Sequence, residues 1–284
     1  MIAENFDYSA PNTVEEALQL IAKGGKVLAG GMSLVPLMKL RLAAPEHLVD
    51  LGRVAALNGI TEDKGSIVIG SMTTHHQLES SALLRASCPL LAETASLIGD
   101  VQVRNMGTIG GSVAHADPAA DYPAALLALE AKVRLVKSSG DRTLAFSDFL
   151  IDSFTTALEE GELVREVVVP VETAGTGVSY QKMLQPASGF AIVGVAARIR
   201  KTAGKISFAR IGVTGLSSCA FRAAAVEKLL EGTSGSEEEI GKAAAVVADG
   251  VDANSDIHAS SNYRSQMARV YTARAIQAAV SRAA

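Results

Sequence analysis

Lys26-Val27-Leu28-Ala29-Gly30-Gly31-Met32-Ser33-Leu34 reads as a short strand running straight into a glycine pair, with Leu37, Met38 and Leu42 continuing from Leu34 at helical spacing. Ser33 stands where a helix N-cap belongs, and Pro36 is tolerated in a first turn. Paired glycines permit positive φ and carry no Cβ, so successive backbone N–H groups can converge on an anion. A helix N-terminus behind the turn adds favourable potential for phosphate. Upstream, Thr13 and Glu16 have capping-box spacing ahead of Ala17, Leu18 and Ile21, and Gly24-Gly25 ends that helix. Downstream, His47 to Leu51 reads as a second strand, which closes a small βαβ-like unit near residue 55.

A second stretch, Thr108-Ile109-Gly110-Gly111-Ser112, has the same design on paper: an apolar strand ending in Gly-Gly, then a small hydroxyl residue and a helix. One such turn is weak evidence, since most glycine pairs only make tight turns; two suggest a pair of loops gripping one diphosphate. The dinucleotide fingerprint GxGxxG and the Walker GxxxxGK[ST] loop are both absent, which argues against a Rossmann NAD site and against nucleotide hydrolysis.

Between and beyond these loops the pattern gives a strand at Ile67 to Ile69 and helices over Gln77 to Leu84, Leu90 to Ile98 and Tyr122 to Ala131. Strands follow at Val133 to Val136 and Leu163 to Val169, with Pro170 as punctuation. The last third alternates strands (Phe190 to Ile199, Ile206 to Val213) with Ala-rich helices (Phe221 to Leu230, Glu237 to Ala248, Tyr263 to Ala284). Three units result, over residues 1–56, 57–172 and 173–284.

Composition narrows the function classes. The chain has 284 residues, 48% hydrophobic and 20% charged, so a sizeable core is available. The net charge of −4, without a basic stripe, and an aromatic content of 4% with no Trp argue against nucleic acid as a partner. No basic region leads an apolar stretch at the N-terminus and no window resembles an integral membrane segment, which predicts a cytoplasmic protein. Cys88 and Cys219 cannot supply the four thiolates of an iron-sulfur cluster, and both read as ordinary buried thiols.

Three motifs together resemble one family. They are Ala29 to Leu34 with Met38-Lys39-Leu40-Arg41, then Gln102 to Ser112, then His115-Ala116-Asp117-Pro118-Ala119-Ala120-Asp121. This combination is similar to the medium, flavin-binding subunit of carbon monoxide dehydrogenase-type molybdenum hydroxylases, and more distantly to the FAD domain of xanthine dehydrogenase. The resemblance continues through Phe154 to Leu158 and Ser255 to Ser260 to Tyr263-Arg264, and so covers essentially the whole chain. It implies an α+β fold: a PCMH or vanillyl-alcohol-oxidase-type FAD-binding region of two α/β subdomains, followed by a C-terminal α+β domain of the carbon monoxide dehydrogenase flavoprotein type.

The same resemblance implies non-covalent FAD, with Val27, Leu28, Ala29, Gly30, Gly31, Met32, Ser33 and Leu34 and then Thr108, Ile109, Gly110, Gly111 and Ser112 embracing the diphosphate. Asp121 accepts hydrogen bonds from FAD hydroxyls in this picture; Ile98 and Val164 line the pocket. Lys182, or Gln181 with a one-residue slip, lies near the flavin ring, and Phe190 covers it. No catalytic residue and no metal ligand is expected in this chain. The implied role is electron transfer from iron-sulfur clusters through FAD to an external acceptor. A large molybdopterin-binding subunit and a small [2Fe-2S] subunit are the implied partners, in a dimer of heterotrimers. Met32 departs from the carbon monoxide enzymes, which have histidine there; this argues against carbon monoxide as substrate and against covalent attachment through this loop. The alternatives are a self-sufficient flavin oxidoreductase of the same fold and a flavin-free assembly subunit.

Several chemically suggestive residues have plainer readings. His75-His76 has no i,i+4 partner for a metal and reads as a polar helix start. Turn hydrogen bonds account for His115 and Asp117, and loop anchoring accounts for Arg104. Asp121 reads equally well as a ligand contact and as the N-cap of the helix containing Pro123 and Leu126. Glu237-Glu238-Glu239 reads as a solvated helix start.

Overall fold

The computed structural model describes residues 2–283, which form three sheets of three or more strands in chain order, each with its own helices, and one two-stranded hairpin. In the first, β1 (Asp7–Ser9), β2 (Lys26–Leu28) and β3 (His47–Asp50) pair in the order β1-β3-β2, all parallel. Helix α1 (Val14–Ile21) begins where Thr13 Oγ1 accepts the Glu16 N–H, and Glu16 reaches back to the N–H of Asn12. It buries Val14, Ala17 and Leu18 against Val49 and Leu51. Helix α2 (Leu34–Lys39) connects β2 to β3, so the expected βαβ unit is present. Ser33, however, makes no capping hydrogen bond through its side chain.

The second sheet is antiparallel, in the order β4-β5-β10-β6-β7, built from β4 (Ile60–Asp63), β5 (Ser66–Gly70), β6 (Lys132–Lys137) and β7 (Gly140–Ala145), with β10 (Leu163–Pro170) at its centre. Six helices lie between β5 and β6: α3 (His75–Ser80), α4 (Ala82–Ser87), α5 (Pro89–Ser96), α6 (Val101–Met106), α7 (Ile109–His115) and α8 (Tyr122–Ala128). The single helix expected over Gln77 to Leu84 is two, because Ser81 takes an extended conformation and caps the second through the N–H of Leu84. The core joins Ile67, Ile69, Val133, Leu135 and Val167 of the sheet to Leu78, Leu90, Leu91 and Leu126 of the helices. A short helix α9 (Phe146–Phe149) and the hairpin β8 (Leu150–Asp152) and β9 (Thr155–Thr156) sit between β7 and β10.

The third sheet is an antiparallel array of β11 (Thr176–Leu184), β12 (Ala191–Thr202), β13 (Lys205–Thr214) and β14 (Phe221–Arg222). Strand β12 is buried continuously from Ala191 to Ile199, because helices cover both its faces: α8 of the second unit and the long α12 (Ser261–Arg282). Helices α10 (Ala224–Leu230) and α11 (Glu237–Ala245) complete this layer. Phe221 and Arg222, expected to open the first of these helices, instead pair with β13. Ala284, where the sequence reading ended the last helix, lies outside the described residues, as does Met1. No helix of the described residues is long and apolar enough to cross a membrane.

Candidate cofactor site

The loop after β2 and the N-terminus of α7 meet because two segments of the second unit pair in antiparallel fashion beside them. His75 N–H donates to Gly107 O, Ile109 N–H to Thr73 O and Gly110 N–H to Ser71 O, around a bridge between Thr74 and Thr108. Gly30 then packs against the far end of the α6–α7 connection: a Cβ at Gly30 would run into the carbonyl oxygen of Met106. A Cβ at Gly110 would likewise overlap Ser71. These glycines are close-approach positions, while Gly31 alone of the four loop glycines has a positive φ, +74°.

This corrects the reading of the second glycine pair. Gly110 and Gly111 do not end a strand; they lie in the first turn of α7, whose N-cap is Thr108 with its Oγ1 accepting the Gly111 N–H. Their backbone donors are already engaged, Gly110 with Ser71 O, Gly111 with Thr108 Oγ1 and Ser112 with Thr108 O. The first loop differs. Among the described residues, nothing accepts the N–H groups of Gly31, Met32, Ser33 and Leu34. Four donors in sequence at a helix start, with no Cβ at Gly30 or Gly31, form an anion cradle. The second loop contributes room and hydroxyls, from Thr108 and Ser112, rather than N–H groups.

A cavity of about 700 Å3 opens over this cradle, within the size range of small-molecule sites. Its first wall is Val27 and Ala29 through Leu34; its second is Thr108, Gly110, Gly111 and Ser112; Ile98, Val164, Asp121 and Phe190 close it. Leu28 and Ile109 fall behind the wall, Ile109 wholly buried in the core, and Lys182 lies beneath it. Residues not anticipated from sequence also line it, among them Ser71, Met72, His75, Gly107 and the Ser188-Gly189 turn next to Phe190. Ser71 directly follows Gly70 at the end of β5, a Gly-Ser strand end that is a weaker signal than Gly-Gly.

Beneath the cavity, Asp121 is buried and is not a side-chain cap of α8. Its Oδ1 accepts the Tyr180 hydroxyl at 2.5 Å and its Oδ2 the Lys182 ammonium at 2.9 Å, which also donates to Leu97 O. Burial pushes the Asp121 carboxyl up, against the opposing pull of Lys182 and Tyr180. Gln181 turns away to Ser179. Each Asp121 oxygen keeps acceptor capacity beyond its present partner. His75 is buried at the start of α3, with Nδ1 3.0 Å from the Tyr122 hydroxyl; burial, reinforced by the Arg104 charge, lowers its pKa to about 4, so it is neutral at ordinary pH. Arg104 anchors its loop as expected, to Glu79 and to the carbonyls of Ile98 and Gly99. Asp117 likewise accepts the Ala119 N–H within its turn.

The wall fits a flavin dinucleotide on three counts. The cradle of Gly31 to Leu34 supplies donors for a diphosphate. The buried Ser71 Oγ has no partner among the described residues, a polar atom left for a ligand. Ile98, Leu34, Val164 and Phe190 supply an apolar surface for an aromatic ring. Among the described residues no group of His, Cys, Asp and Glu is placed to hold a metal ion.

Comparison with known proteins agrees with this geometry. Residues 4–172 match the model of the FAD binding domain in molybdopterin dehydrogenase, and residues 178–279 that of the CO dehydrogenase flavoprotein C-terminal domain. The chain is 40% identical to the carbon monoxide dehydrogenase medium chain of Hydrogenophaga pseudoflava, covering 100% of both. It is 26% identical to the xanthine dehydrogenase FAD-binding subunit of Escherichia coli O157:H7, covering 97% of this chain and 96% of that one. Among solved structures, carbon monoxide dehydrogenase from Hydrogenophaga pseudoflava superposes with a TM-score of 0.96 at 42% identity over 100% of both chains. Quinoline 2-oxidoreductase from Pseudomonas putida 86 does so with a TM-score of 0.95 at 31% identity, covering 100% of this chain and 99% of that one.

Proposed function

The chain belongs to the family of FAD binding domains in molybdopterin dehydrogenases, as a medium FAD-containing oxidoreductase subunit, and from that premise we propose that it works as an electron relay. It takes electrons from [2Fe-2S] clusters of a small subunit and delivers them to an external acceptor, while a large molybdopterin-binding subunit oxidises the substrate. The three chains assemble as a dimer of heterotrimers. Within this chain, residues 1–56 and 57–172 hold the cofactor between them and residues 173–284 close the ring end.

The cradle of free N–H groups at Gly31 to Leu34 carries the reading, because it offers a diphosphate what no other part of the wall offers. Around it, Val27 to Ala29, Thr108 to Ser112, Ile98, Asp121, Val164, Lys182 and Phe190 shape the site. Bound there, flavin supplies the capacity to take and release electrons singly or in pairs. The residues of the chain orient it and exclude water: the cradle fixes the diphosphate, Ser71 and Ser112 offer hydroxyls, and the Lys182–Asp121 pair stiffens the floor beneath. None of them needs to act as a general base.

Turnover assays test the relay. The FAD-loaded chain alone should oxidise no aldehyde, purine or N-heterocycle, and activity should appear only with the two partner subunits. Multiple turnovers by the single chain would make it a self-sufficient flavoenzyme instead.

A further inference from the structure

A second pocket, of about 560 Å3, lies between β6 and β10 and the β12–β13 pair. Lys132 and Arg134 project from alternate positions of β6, and Arg198 and Arg200 from alternate positions of β12, so each pair shares one face of its strand. In the β12–β13 register Arg198 stands opposite Arg210 and Arg200 opposite Phe208. Cationic side chains set directly across from one another repel, so this arrangement needs anions nearby.

The protein supplies them only in part. Arg198 pairs with Glu172 at 2.7 Å, Arg134 with Glu166 at 2.8 Å, and Arg210 with Glu130 at 3.0 Å, where Glu130 is shared with Arg222. Among the described residues, neither Lys132 nor Arg200 has a carboxylate within 4.0 Å. Among the described residues the buried Nε of Arg200 has no hydrogen-bond partner, and neither does Glu172 Oε2 or Thr176 Oγ1, the latter on the residue that faces Arg200 across the β11–β12 register. Of these three atoms the Arg200 Nε and the Thr176 hydroxyl are donors that an anion can satisfy, and only Arg200 lines the pocket; its buried, unpaired donor distinguishes the site from an ordinary solvated basic surface. The Arg198, Arg200 and Arg210 guanidinium groups all lie within 5.0 Å of the Phe208 ring centre, and this stacking holds them in place without using their N–H donors.

We propose that this pocket binds a small molecule through a phosphate or diphosphate group, with Arg200 and Lys132 as its principal charge partners. A tetrahedral dianion matches prearranged guanidinium forks with an ammonium beside them, and it would satisfy the Arg200 donor that the fold leaves unpaired. The site is separate from the cradle, since no residue lines both cavities.

Calorimetric titration of the FAD-loaded chain with inorganic phosphate and with pyrophosphate, at fixed ionic strength, tests this; loading with FAD closes the cradle to either probe. Saturable binding is expected in the parent, weakened roughly tenfold or more in Lys132→Gln and in Arg200→Gln, with unchanged flavin content and no effect of the distant Lys228→Gln. Lys132 is exposed, so its substitution leaves the fold intact and decides the matter even if Arg200→Gln does not fold. Stronger binding of pyrophosphate than of phosphate indicates a diphosphate ligand; the reverse order indicates a monophosphate. Absence of saturable heat in the parent, or equal affinity in Lys132→Gln and the parent, overturns the proposal.

Discussion

The ammonium of Lys182 sits 2.9 Å from Oδ2 of Asp121, and the two side chains are 3% and 5% exposed, so an ion pair is sealed beneath the cofactor cavity. A buried pair contributes little net stability, but removing one partner strands the other charge, at a cost of about 3–5 kcal/mol. Lys182→Met should therefore lower the unfolding free energy by about that amount at neutral pH. The loss should shrink in acid: burial already raises the Asp121 pKa, and without Lys182 the carboxyl takes up a proton more readily. Denaturant titrations of the single variants and of Asp121→Asn/Lys182→Met measure it. An equal loss at both pH values, or a double variant no better than Lys182→Met, would contradict the buried pair.

His75 gives the chain a stability that depends on pH. Its pKa falls from 6.5 to about 4 on folding, so the unfolded chain binds a proton that the folded one refuses. The contribution is full above the unfolded value and is lost as pH falls toward the folded one. The lowered pKa corresponds to a change on the order of 3 kcal/mol across that window. His75→Gln removes the titrating group, and its melting temperature should vary less with pH there than that of the parent. Parallel pH profiles would show that His75 is not the group responsible.

The glycines should separate by mechanism. Gly31→Val places a β-branched residue at a φ of +74° and should abolish flavin retention, since the cradle cannot keep its shape. Gly30→Ala should impair folding itself, because its Cβ meets backbone at Met106. Gly111→Ala has no positive φ to accommodate; its Cβ would lie 3.0 Å from Thr108 Oγ1 and 3.6 Å from Ala29 Cβ. It should fold with nearly parental stability and lose flavin affinity only by crowding the cavity. Flavin-to-protein ratios after gel filtration, read beside melting temperatures, distinguish these three results.

The loop from Lys26 to Leu34 was readable because strand, turn and helix signals are adjacent in sequence. The α7 turn was misread because Ile109 next to a glycine pair resembles a strand end, although Ile109 and Val113 already have helical spacing and both are buried. Helix α6 escaped notice because none of its residues is buried, so no apolar periodicity marks it. Strand β1 is three polar-edged residues that pair only with β3. The Lys182–Asp121 contact spans 61 residues of sequence, and no local pattern predicts such a meeting.

The flavin should be held without a covalent bond, and this chain should carry no other redox centre. Met32, which lines the cavity, has no nucleophilic nitrogen to offer the flavin ring, and neither cysteine lines the cavity. Acid precipitation should therefore release all flavin into the supernatant; a yellow pellet yielding a flavin-peptide mass would contradict this. The thiols are equally unsuited to a cluster. Burial pushes Cys88 up to about 12 and raises Cys219 too, so both stay protonated at neutral pH, whereas iron-sulfur ligation needs thiolates and usually four of them. Elemental analysis of the purified chain should find about one FAD per polypeptide, with neither iron nor molybdenum above background. Dithionite should still bleach the flavin, because its reduction needs only an electron donor. Stoichiometric iron in the isolated chain would mean that a cluster resides here, and would move the relay's first step inside this subunit.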